Sequence, residues 1–446
     1  MKPRRSVLTY PTFLRLLACL ALVLASDNPA RAAARGLWVD SAAGNDDNNG
    51  ANTAPLKTLG RAIALANTVP PGGIVQIKLR AGSYLLSPAT SITRDHVQIE
   101  GMSQPVRGAS GYLEGFINEV QIVPSGPGCP GCALNPLLLV HASDVQFTGL
   151  HFAHPGSVDE GYVSDPNSDF MLAIMFEGQW DMANPKALSQ EAVRFCHFEG
   201  WLIAVNVNFA SASIELNRED NCFVPFWFGP APGGARIDVR HNTMRSNIEN
   251  GVTATGTPEF WSIPDQPCSL DLDISENIFE GSRLLFGVEL LIRDVFPLVG
   301  QRGELQATIR KNTFVANHLG AFAITDLSHI GSAACGELDA PVSIHVALDQ
   351  NSYFKDAAGV GNGTTTTEPW QHTALFAFQQ FEPYFNPWLD GCFVNNATIR
   401  VDDPANELAD LAHCTRKFQY RIRPGDNNYL VVNGLSFTKG LPGIYP

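Results

Sequence analysis

Short runs of alternating apolar and polar residues recur through the middle of the chain, and each run ends at the same kind of turn. An asparagine follows the run, and an aromatic residue or a methionine stands two residues later. The frame reads Ile237-Asp-Val-Arg-His-Asn242-Thr-Met244 and returns at Leu272–Phe279, Thr308–Phe314, Val346–Tyr353 and, in a stretched form, Leu216–Phe223. A period of two is typical of strands with one buried face. The pattern predicts an internal repeat of β-strands.

The spacing of the repeat predicts the architecture. Two earlier copies keep the frame without the asparagine, and the corner positions are 150, 196, 221, 242, 277, 312 and 351. These spacings fit a unit of roughly 21–25 residues, doubled once and elsewhere lengthened by insertions, which is typical of one turn of a parallel β-solenoid. Inward residues such as Val239, Ile274 and Ile309 should then stack into a continuous core. At the corners, the asparagine amides should pair with the backbone and with each other.

The segment after the N-terminal region resembles a known superfamily. Val39-Asp-Ser-Ala-Ala-Gly44-Asn45-Asp46 and Asn49-Gly50, then Ala54-Pro55-Leu56-Lys57-Thr58-Leu59 and Arg80-Ala-Gly82-Ser-Tyr84, are similar to the first segment of pectin-lyase-like proteins. That superfamily includes pectate lyases, polygalacturonases, other polysaccharide lyases and phage tailspikes. The resemblance implies an all-β, single-stranded right-handed parallel β-helix with an N-terminal capping helix. The residues themselves predict that helix over positions 57–68, with Thr58 as its cap.

The chain divides into four predicted parts. Residues 1–32 read as an export signal, because basic residues precede the apolar run Leu16–Ala25 and Ala30-Arg31-Ala32 offers a cleavage site. Residues 33–100 are expected to form the N-terminal cap and first rungs, 101–360 the parallel β-helix core, and 361–446 the last rungs and a C-terminal cap. We therefore expect a secreted or periplasmic protein.

Charge limits the partners. The net charge is −14, and loss of residues 1–32 removes five basic residues and one acidic residue, which leaves −18. An acidic surface disfavours nucleic acid and anionic lipid, and no later run is long enough to span a bilayer. A polyanionic glycan would need a basic strip or bound calcium, and calcium is the one cofactor that the sequence suggests. We expect a monomer whose partner is a polysaccharide or a cell-surface glycan.

The cysteine count predicts disulfide bonds. Eight cysteines remain after loss of Cys19 with the signal, and an even number in an exported protein favours pairing. Stacking of adjacent rungs favours Cys196 with Cys222. Proximity in loops favours Cys129 with Cys132 and Cys392 with Cys414.

Two columns of outward residues are the first candidates for chemistry. Asp238 and Asp273, with Glu215, are expected to stack about 4.8 Å apart, as a carboxylate pair for glycoside hydrolysis or as calcium ligands. Arg240 and Arg310, with Arg194, form a basic column. The superfamily resemblance implies that such residues take a proton next to a uronate carboxylate. The alternatives are solvated carboxylates and an exposed ladder of ion pairs.

The strands that follow each corner are an alternative candidate for the active site. Glu289 and Asp326 are possible catalytic residues there, and Asn206, Asn208 and Thr253 would continue the same face. Substrate contacts are expected from Trp227 and Trp261, because indole rings stack on sugar faces. Arg293 and His329 are expected to supply polar contacts beside them. The alternative is that the tryptophans only cover the side of the solenoid.

A loop rich in histidine and carboxylates is the candidate metal site. It runs from His151 through His154 to Asp159 and Glu160, which we name as ligands of a divalent ion. A solvated loop is the alternative, since the spacing is not that of a regular calcium loop.

Two functional classes follow, and the fold does not choose between them. The first is an enzyme, a lyase or glycoside hydrolase acting on an extracellular polysaccharide. The second is a non-catalytic solenoid that binds glycans or a cell surface. The sequence lacks the polygalacturonase residue set and the calcium cluster of pectate lyases, so no catalytic residue transfers from those families.

Overall fold

The computed structural model describes most of the repeat region. The residues described are 32–126, 135–155, 171–179, 186–255, 268–292, 303–318, 320–326, 336–337, 342–362, 376–380, 393–394, 398–403, 418–422, 429–432, 435–437 and 440–445. The expected export signal lies outside them except for its last residue, Ala32, which begins the first strand. Within them, no helix is long and apolar enough to cross a membrane.

Three sheets contain most of the strands, which are numbered in chain order. Sheet I consists of β1 (Ala32–Val39), β2 (Gly73–Leu79), β5 (Val97–Gly101), β10 (Val145–Thr148), β13 (Leu188–Arg194), β16 (Ala210–Glu215), β20 (Ala235–Arg240), β23 (Cys268–Ser275), β26 (Gly303–Arg310), β30 (Val342–Asp349), β34 (Thr398–Asp402), β36 (Tyr429–Val432) and β37 (Leu435–Phe437), with β19 (Ala231–Pro232) beside β23. Sheet II consists of β3 (Gly82–Leu86), β8 (Val120–Pro124), β11 (His151–Ala153), β14 (His197–Glu199), β17 (Arg218–Asp220), β21 (Thr243–Arg245), β24 (Ile278–Glu280), β27 (Thr313–Val315) and β31 (Ser352–Phe354).

Sheet III and two small pairs complete the strands. Sheet III consists of β4 (Thr90–Ile92), β9 (Asn135–Val140), β12 (Met171–Glu177), β15 (Ile203–Asn208), β18 (Val224–Phe228), β22 (Val252–Thr255), β25 (Phe286–Ile292), β28 (Gly320–Asp326), β32 (Phe376–Gln380), β35 (Phe418–Ile422) and β38 (Gly440–Tyr445). The pairs are β6 (Gln104–Arg107) with β7 (Leu113–Ile117), and β29 (Gly336–Glu337) with β33 (Phe393–Val394).

Each rung of the solenoid passes from sheet I to sheet II to sheet III. The run β13, β14, β15 is followed by β16, β17, β18, and each strand pairs in parallel with its counterpart in the next rung. Val239, Ile274 and Ile309 share one register and are buried, as the alternation predicts. The chain is a right-handed parallel β-helix, so the predicted fold class is confirmed.

The predicted helix is present near the N-terminus. Helix α1 (Leu59–Thr68) begins after Thr58, whose hydroxyl accepts a hydrogen bond from the Arg61 N–H. Leu59, Ala62, Ile63 and Ala66 are buried, and the helix contacts β1, β2, β3 and β4. Its position beside the first strands is established, and its role as an end cap stays a prediction.

An asparagine ladder lies at the corner between sheets I and II. Its members are Asn217, Asn242, Asn277, Asn312 and Asn351. Each side-chain Nδ2 in the series from Asn217 to Asn312 donates to the Oδ1 of the next member at 3.0 Å. The residue before each member has a φ between 53° and 58°, although none is glycine. The ladder thus stabilises a backbone that side chains rarely adopt.

One member of the ladder differs from the sequence-based assignment. The stretched repeat assigned Asn221 to this corner, whereas the ladder contains Asn217. Asn221 lies instead at the corner between sheets II and III, in a left-handed conformation with φ 54°. That second corner has its own amides, because Asn247, Asn317 and Asn362 each accept a backbone N–H from the preceding rung. Both corners use asparagine, so residue type alone does not distinguish them.

The inward column of sheet II is mostly aromatic. Phe152 stacks on Phe198 with ring centroids 5.1 Å apart, and Phe279 stacks on Phe314 at 4.9 Å. Glu219 occupies the same column next to Phe198 and is fully buried. Burial raises the pKa of Glu219 well above its ordinary value. Burial in the solenoid interior therefore favours the neutral form of this carboxylic acid.

A hairpin from an early rung lies over the first corner of later rungs. It is formed by β6 and β7, and the Tyr112 hydroxyl donates to the Glu276 carbonyl at 2.7 Å. Arg218 donates to the Glu114 carbonyl at 2.6 Å, and the Arg107 guanidinium lies 4.7 Å from the Phe195 ring centroid. The hairpin thus contacts positions from Phe195 to Glu276, which belong to several successive rungs.

The predicted pairing of Cys196 with Cys222 is wrong. Both are buried free thiols, and burial raises the pKa of Cys196 to about 12. Cys196 lies at the first corner, where its N–H donates to Asn217, and Cys222 lies at the second, where its N–H donates to Asn247. Adjacent rungs therefore do not stack these two residues. The other predicted pairs, Cys129 with Cys132 and Cys392 with Cys414, lie outside the described residues.

Candidate functional site

The outer face of sheet I brings together four of the sequence-predicted residues. Asp238 pairs in register with Asp273 on the next rung, as expected. Arg240 Nη2 lies 2.8 Å from Asp273 and 3.1 Å from Asp238, and Arg310 Nη2 lies 2.9 Å from Asp273. These residues form the ion-pair ladder that the sequence left open as an alternative. Their catalytic role stays a prediction.

The charges in this ladder limit its chemistry. Burial acts to raise the pKa of Asp273, but hydrogen bonds from Arg310 and Ser275 and the charge of Arg240 outweigh it and lower the pKa. An acid held ionised in this way is a poor proton donor, and a guanidinium does not give up its proton near neutral pH. Glu215 is not in the acidic column, because its partner in register is Arg240. The expected three-carboxylate column is therefore interrupted at Ser213.

A cavity of about 400 Å³ opens on the same face and extends over β10, β13, β16 and β20, so that it reaches the ladder at Asp238. It is lined by Asp144, Gln146, Gln190, Glu191, Arg194, Arg236 and Asp238, with small residues between them. Glu191 is 1% exposed and follows a bulge at Gln190, where φ is 66°. Its Oε2 accepts the Val145 N–H at 3.0 Å. Burial raises the pKa of Glu191 to about 9.

The outer face of sheet III differs from that of sheet I in its burial. One outward column runs, rung by rung, through Leu139, Met175, Asn206, Trp227, Thr253, Glu289 and Ala323. Asn206, Thr253 and Glu289 are 2%, 1% and 5% exposed. On sheet I, by comparison, the outward side chains of Arg236 and Asp271 are 60% and 57% exposed. The outward polar groups of sheet III are therefore covered.

Glu289 is held by a short hydrogen-bonded chain. Asn250 Nδ2 donates to Glu289 Oε2 at 2.7 Å and to Thr253 Oγ1 at 3.1 Å. Asn250 Oδ1 accepts the Phe286 N–H at 3.0 Å, which fixes the orientation of the amide. The alternation of the strands pointed to Glu289 and Thr253 but not to Asn250. Asn250 lies just before β22, outside the alternating pattern.

Two further amides continue the strip. Asn208 Nδ2 donates to Asn206 Oδ1 at 2.6 Å. Gly229 lies beside them, and a β-carbon there would come within 2.7 Å of Asn208 Oδ1. A glycine is needed so that the Asn208 amide can approach the backbone of the next rung. We call the group formed by Asn206, Asn208, Trp227, Asn250, Thr253 and Glu289 the sheet III strip.

The remaining predicted site residues lie at the end of a strand or outside the described part of the chain. Asp326 is the last residue of β28, where it pairs in register with Ile292. The predicted substrate contacts Trp261, Arg293 and His329 and the predicted metal ligands Asp159 and Glu160 lie outside the described residues.

Comparison with known proteins gives a likeness of fold. No protein-family model matches the chain, and no curated protein matches it. Similar solved structures include an iota-carrageenase complexed to iota-carrageenan fragments, with 11% identity over 91% of this chain and 93% of that chain and a TM-score of 0.40. They also include a GH136 lacto-N-biosidase from Eubacterium ramulus, with 11% identity, 95% and 70% coverage and a TM-score of 0.37.

Pectate lyase Pel9A is also similar, with 11% identity over 76% of this chain and 80% of that chain and a TM-score of 0.36. The three parallel sheets of the chain agree with the β-helix fold that the resemblance of its first segment implies.

Proposed function

We propose that this protein is a carbohydrate-active enzyme that acts on an extracellular polysaccharide at the sheet III strip, with Glu289 as its acid or base. The observation that carries the proposal is the burial of outward polar side chains on sheet III. Burying a polar side chain costs free energy unless the group is hydrogen-bonded. Apolar residues would fill these outward positions at lower cost, so the polar residues favour a functional role. A few convergent polar groups beside apolar and aromatic side chains are typical of a ligand-binding site.

The composition of the strip supports a sugar as the ligand. Amides and a hydroxyl pair with sugar hydroxyl groups, and the Trp227 indole offers a flat apolar face for a pyranose ring. Met175 and Leu139 extend the apolar part of the same column. The net charge of −14 disfavours a polyanionic chain. We therefore favour a neutral glycan and hydrolysis over elimination at a uronate.

Glu289 is the residue of the strip suited to proton transfer. Glu289 is 5% exposed as a residue, and its carboxyl group accepts a hydrogen bond from Asn250. Exclusion of water strengthens every charge interaction that the group makes with a bound substrate. A positioned acid or base typically contributes 10²–10⁴-fold to a rate, so loss of this group should cost roughly that factor.

The test is an assay of the purified mature protein on neutral and acidic polysaccharides, with and without calcium. We expect new reducing ends without the ultraviolet absorbance of an unsaturated product, and a drop of roughly 10²-fold or more in Glu289→Gln. Glu304→Gln is the matched control, because Glu304 is an exposed outward carboxylate on β26. New absorbance would instead mean β-elimination.

The second candidate is a non-catalytic glycan-binding solenoid. The apolar part of the outward column, Leu139, Met175 and Trp227, favours binding as such. This candidate would be supported over the enzyme if no polysaccharide is turned over while the protein is retained on an insoluble glycan. The retention should be lost in Trp227→Ala. Silence without any glycan binding would overturn both.

A further inference from the structure

A cluster of ligand-type side chains lies on the outer face of sheet II, apart from the two faces described above. Glu119 directly precedes β8, His151 begins β11 and His197 begins β14, so three neighbouring strands supply them. One possible ligand atom from each residue lies within 4.8 Å of the other two. In the part of the chain that the structure describes, this is the one group of three such residues brought so close.

The two imidazole rings are aligned face to face. The His151 and His197 ring centroids lie 4.3 Å apart with an angle of 14° between the planes. His151 Nδ1 lies 2.8 Å from Glu119 Oε1. His197 Nε2 lies 2.9 Å from Asp220 Oδ2, which leaves its Nδ1 as the nitrogen able to bind a ligand.

A carboxylate also stands behind each ring. Asp220 contacts the far nitrogen of His197, and Glu199 Oε2 lies 3.6 Å from His151 Nε2. His151 is 6% exposed, and its Nε2 has no hydrogen-bond partner. Histidines that bind metal ions usually have such a carboxylate on the second ring nitrogen, which fixes the tautomer and the ring orientation.

We propose that Glu119, His151 and His197 bind a divalent transition-metal ion, with Asp220 and Glu199 orienting the two imidazoles. Two nitrogen donors and one carboxylate form a ligand set for Zn²⁺ and its neighbours, whereas Ca²⁺ takes oxygen ligands. Three carboxylates, Glu119, Glu199 and Asp220, face one guanidinium, that of Arg218, which is paired with Asp220. The local charge of −2 with neutral imidazoles matches a dication.

Binding requires a small rearrangement. Metal–ligand bonds of about 2.0–2.2 Å place tetrahedral ligand atoms roughly 3.3–3.5 Å apart. The ligand atoms of Glu119, His151 and His197 lie up to 4.8 Å from one another, so they must move closer together. The near-parallel rings must tilt apart so that both nitrogens point at one ion. The Glu119 side chain is 44% exposed, so it is free to move and leaves a route for the ion.

The ion would join three rungs. Glu119 and His197 belong to strands separated by β11, so a bound metal connects β8, β11 and β14 across their outer face. A ligand that binds only the folded chain raises its stability in proportion to the logarithm of the ligand concentration over the dissociation constant. Bound Zn²⁺ should therefore raise the midpoint of thermal unfolding in a concentration-dependent way.

The test uses the mature protein without an affinity tag, stripped of metal by a chelator. Titration with ZnCl₂ in a calorimeter should show a saturable site of one ion per chain, and CaCl₂ should not compete. We expect affinity to fall at least tenfold in His197→Ala and in Glu119→Gln. Because Glu119 is exposed, we expect the second variant to keep its fold, and its unfolding midpoint should rise only at Zn²⁺ concentrations at least tenfold higher than for the wild type.

The matched control is His345→Ala. His345 is an outward histidine whose Nε2 contacts Asp402 at 2.9 Å, and it is not part of the three-residue group. This variant should bind Zn²⁺ as the wild type does. No saturable binding in the wild type, or equal binding in Glu119→Gln, would overturn the proposal. Loss of binding in Asp159→Asn or Glu160→Gln instead would place a metal site in that loop and also overturn it.

Discussion

Asn277 contacts Asn242 through two hydrogen bonds that share one acceptor. Its Oδ1 accepts the Asn242 backbone N–H at 2.9 Å and the Asn242 Nδ2 at 3.0 Å. Its own Nδ2 donates to the Val239 carbonyl at 2.9 Å. One fully buried side chain therefore satisfies polar groups on the preceding rung, at a corner where the strand ladder is interrupted.

Asn277→Ala should destabilise the protein by about 3 kcal/mol, because it leaves two donors and an acceptor buried without partners. Urea unfolding at neutral pH measures the change in the free energy of unfolding. The control is Gln306→Ala, since Gln306 is an exposed amide on β26 and should cost less than about 0.5 kcal/mol. Equal effects of the two substitutions would show that the ladder adds nothing to stability.

Glu219→Met should stabilise the protein by roughly 1–3 kcal/mol at neutral pH. Both carboxyl oxygens are buried without a hydrogen-bond partner, in a column where the neighbouring residues are Phe198 and Met244. The folded-state pKa is raised, so the wild type loses stability as pH rises above the ordinary range of a glutamate. The gain from methionine should thus be larger near pH 8 than near pH 5.

Thermal unfolding of wild type and Glu219→Met across that pH interval provides the measurement. Glu219→Gln serves as a comparison, because it removes the titration but keeps a buried polar group. A methionine variant less stable than the wild type at every pH would mean that the carboxyl group has a stabilising partner.

Glu191→Gln should flatten the dependence of stability on pH. The pKa of Glu191 is about 9 in the folded protein, so its contribution is complete at low pH and is lost as pH rises toward that value. Glutamine keeps an oxygen for the Val145 N–H and cannot ionise. Near pH 7 the variant should be more stable by on the order of 2–3 kcal/mol, and near pH 4.5 the two proteins should be alike.

Chemical unfolding at a series of pH values tests this expectation. Glu304→Gln, at an exposed position, should leave the pH profile unchanged. A Glu191→Gln variant that is destabilised at neutral pH would show that the carboxylate is ionised in the folded protein.

Asp273→Asn distinguishes the sheet I ladder from the sheet III strip. It removes the negative charge from a group bound by Arg240 and Arg310, which should cost about 1 kcal/mol of stability, more at low salt. Glycan turnover should change less than about twofold, whereas Glu289→Gln should lower it by roughly 10²-fold or more. The same steady-state assay on both variants decides between the faces. A large loss of turnover in Asp273→Asn, with the fold intact, would show that the active site lies at the sheet I ladder.

The sequence predicted the features that depend on local chemistry. Asn242 and Asn277 recur because a corner amide has the same backbone partners in every rung, so their spacing revealed the solenoid. Asn217 was missed because Glu219, and not an aromatic residue or a methionine, stands two positions after it, whereas Phe223 follows the second-corner residue Asn221 at that spacing. The alternation also identified Asp238 and Asp273 as neighbours, since both stand between inward residues of one sheet.

Other features depend on register and could not be read in advance. Glu191 occupies its place because of a bulge at Gln190, and strand alternation carries no signal of a bulge. His151 and His197 are 46 positions apart in the chain and meet only because β11 and β14 are adjacent. Glu289 was found because it interrupts an apolar strand, but its partner Asn250 lies before a strand and was not.

The contact of Tyr112 with Glu276 joins positions 164 residues apart in a molecule whose other described strand pairings mostly link one rung to the next. A solenoid held only by neighbouring units can fray from either end, one turn at a time. The hairpin opposes this fraying, because the rungs that it contacts cannot separate until its own contacts with them break. Local unfolding should therefore begin beyond Glu276, toward the C-terminus. The rungs that the hairpin contacts should unfold together as a single cooperative unit.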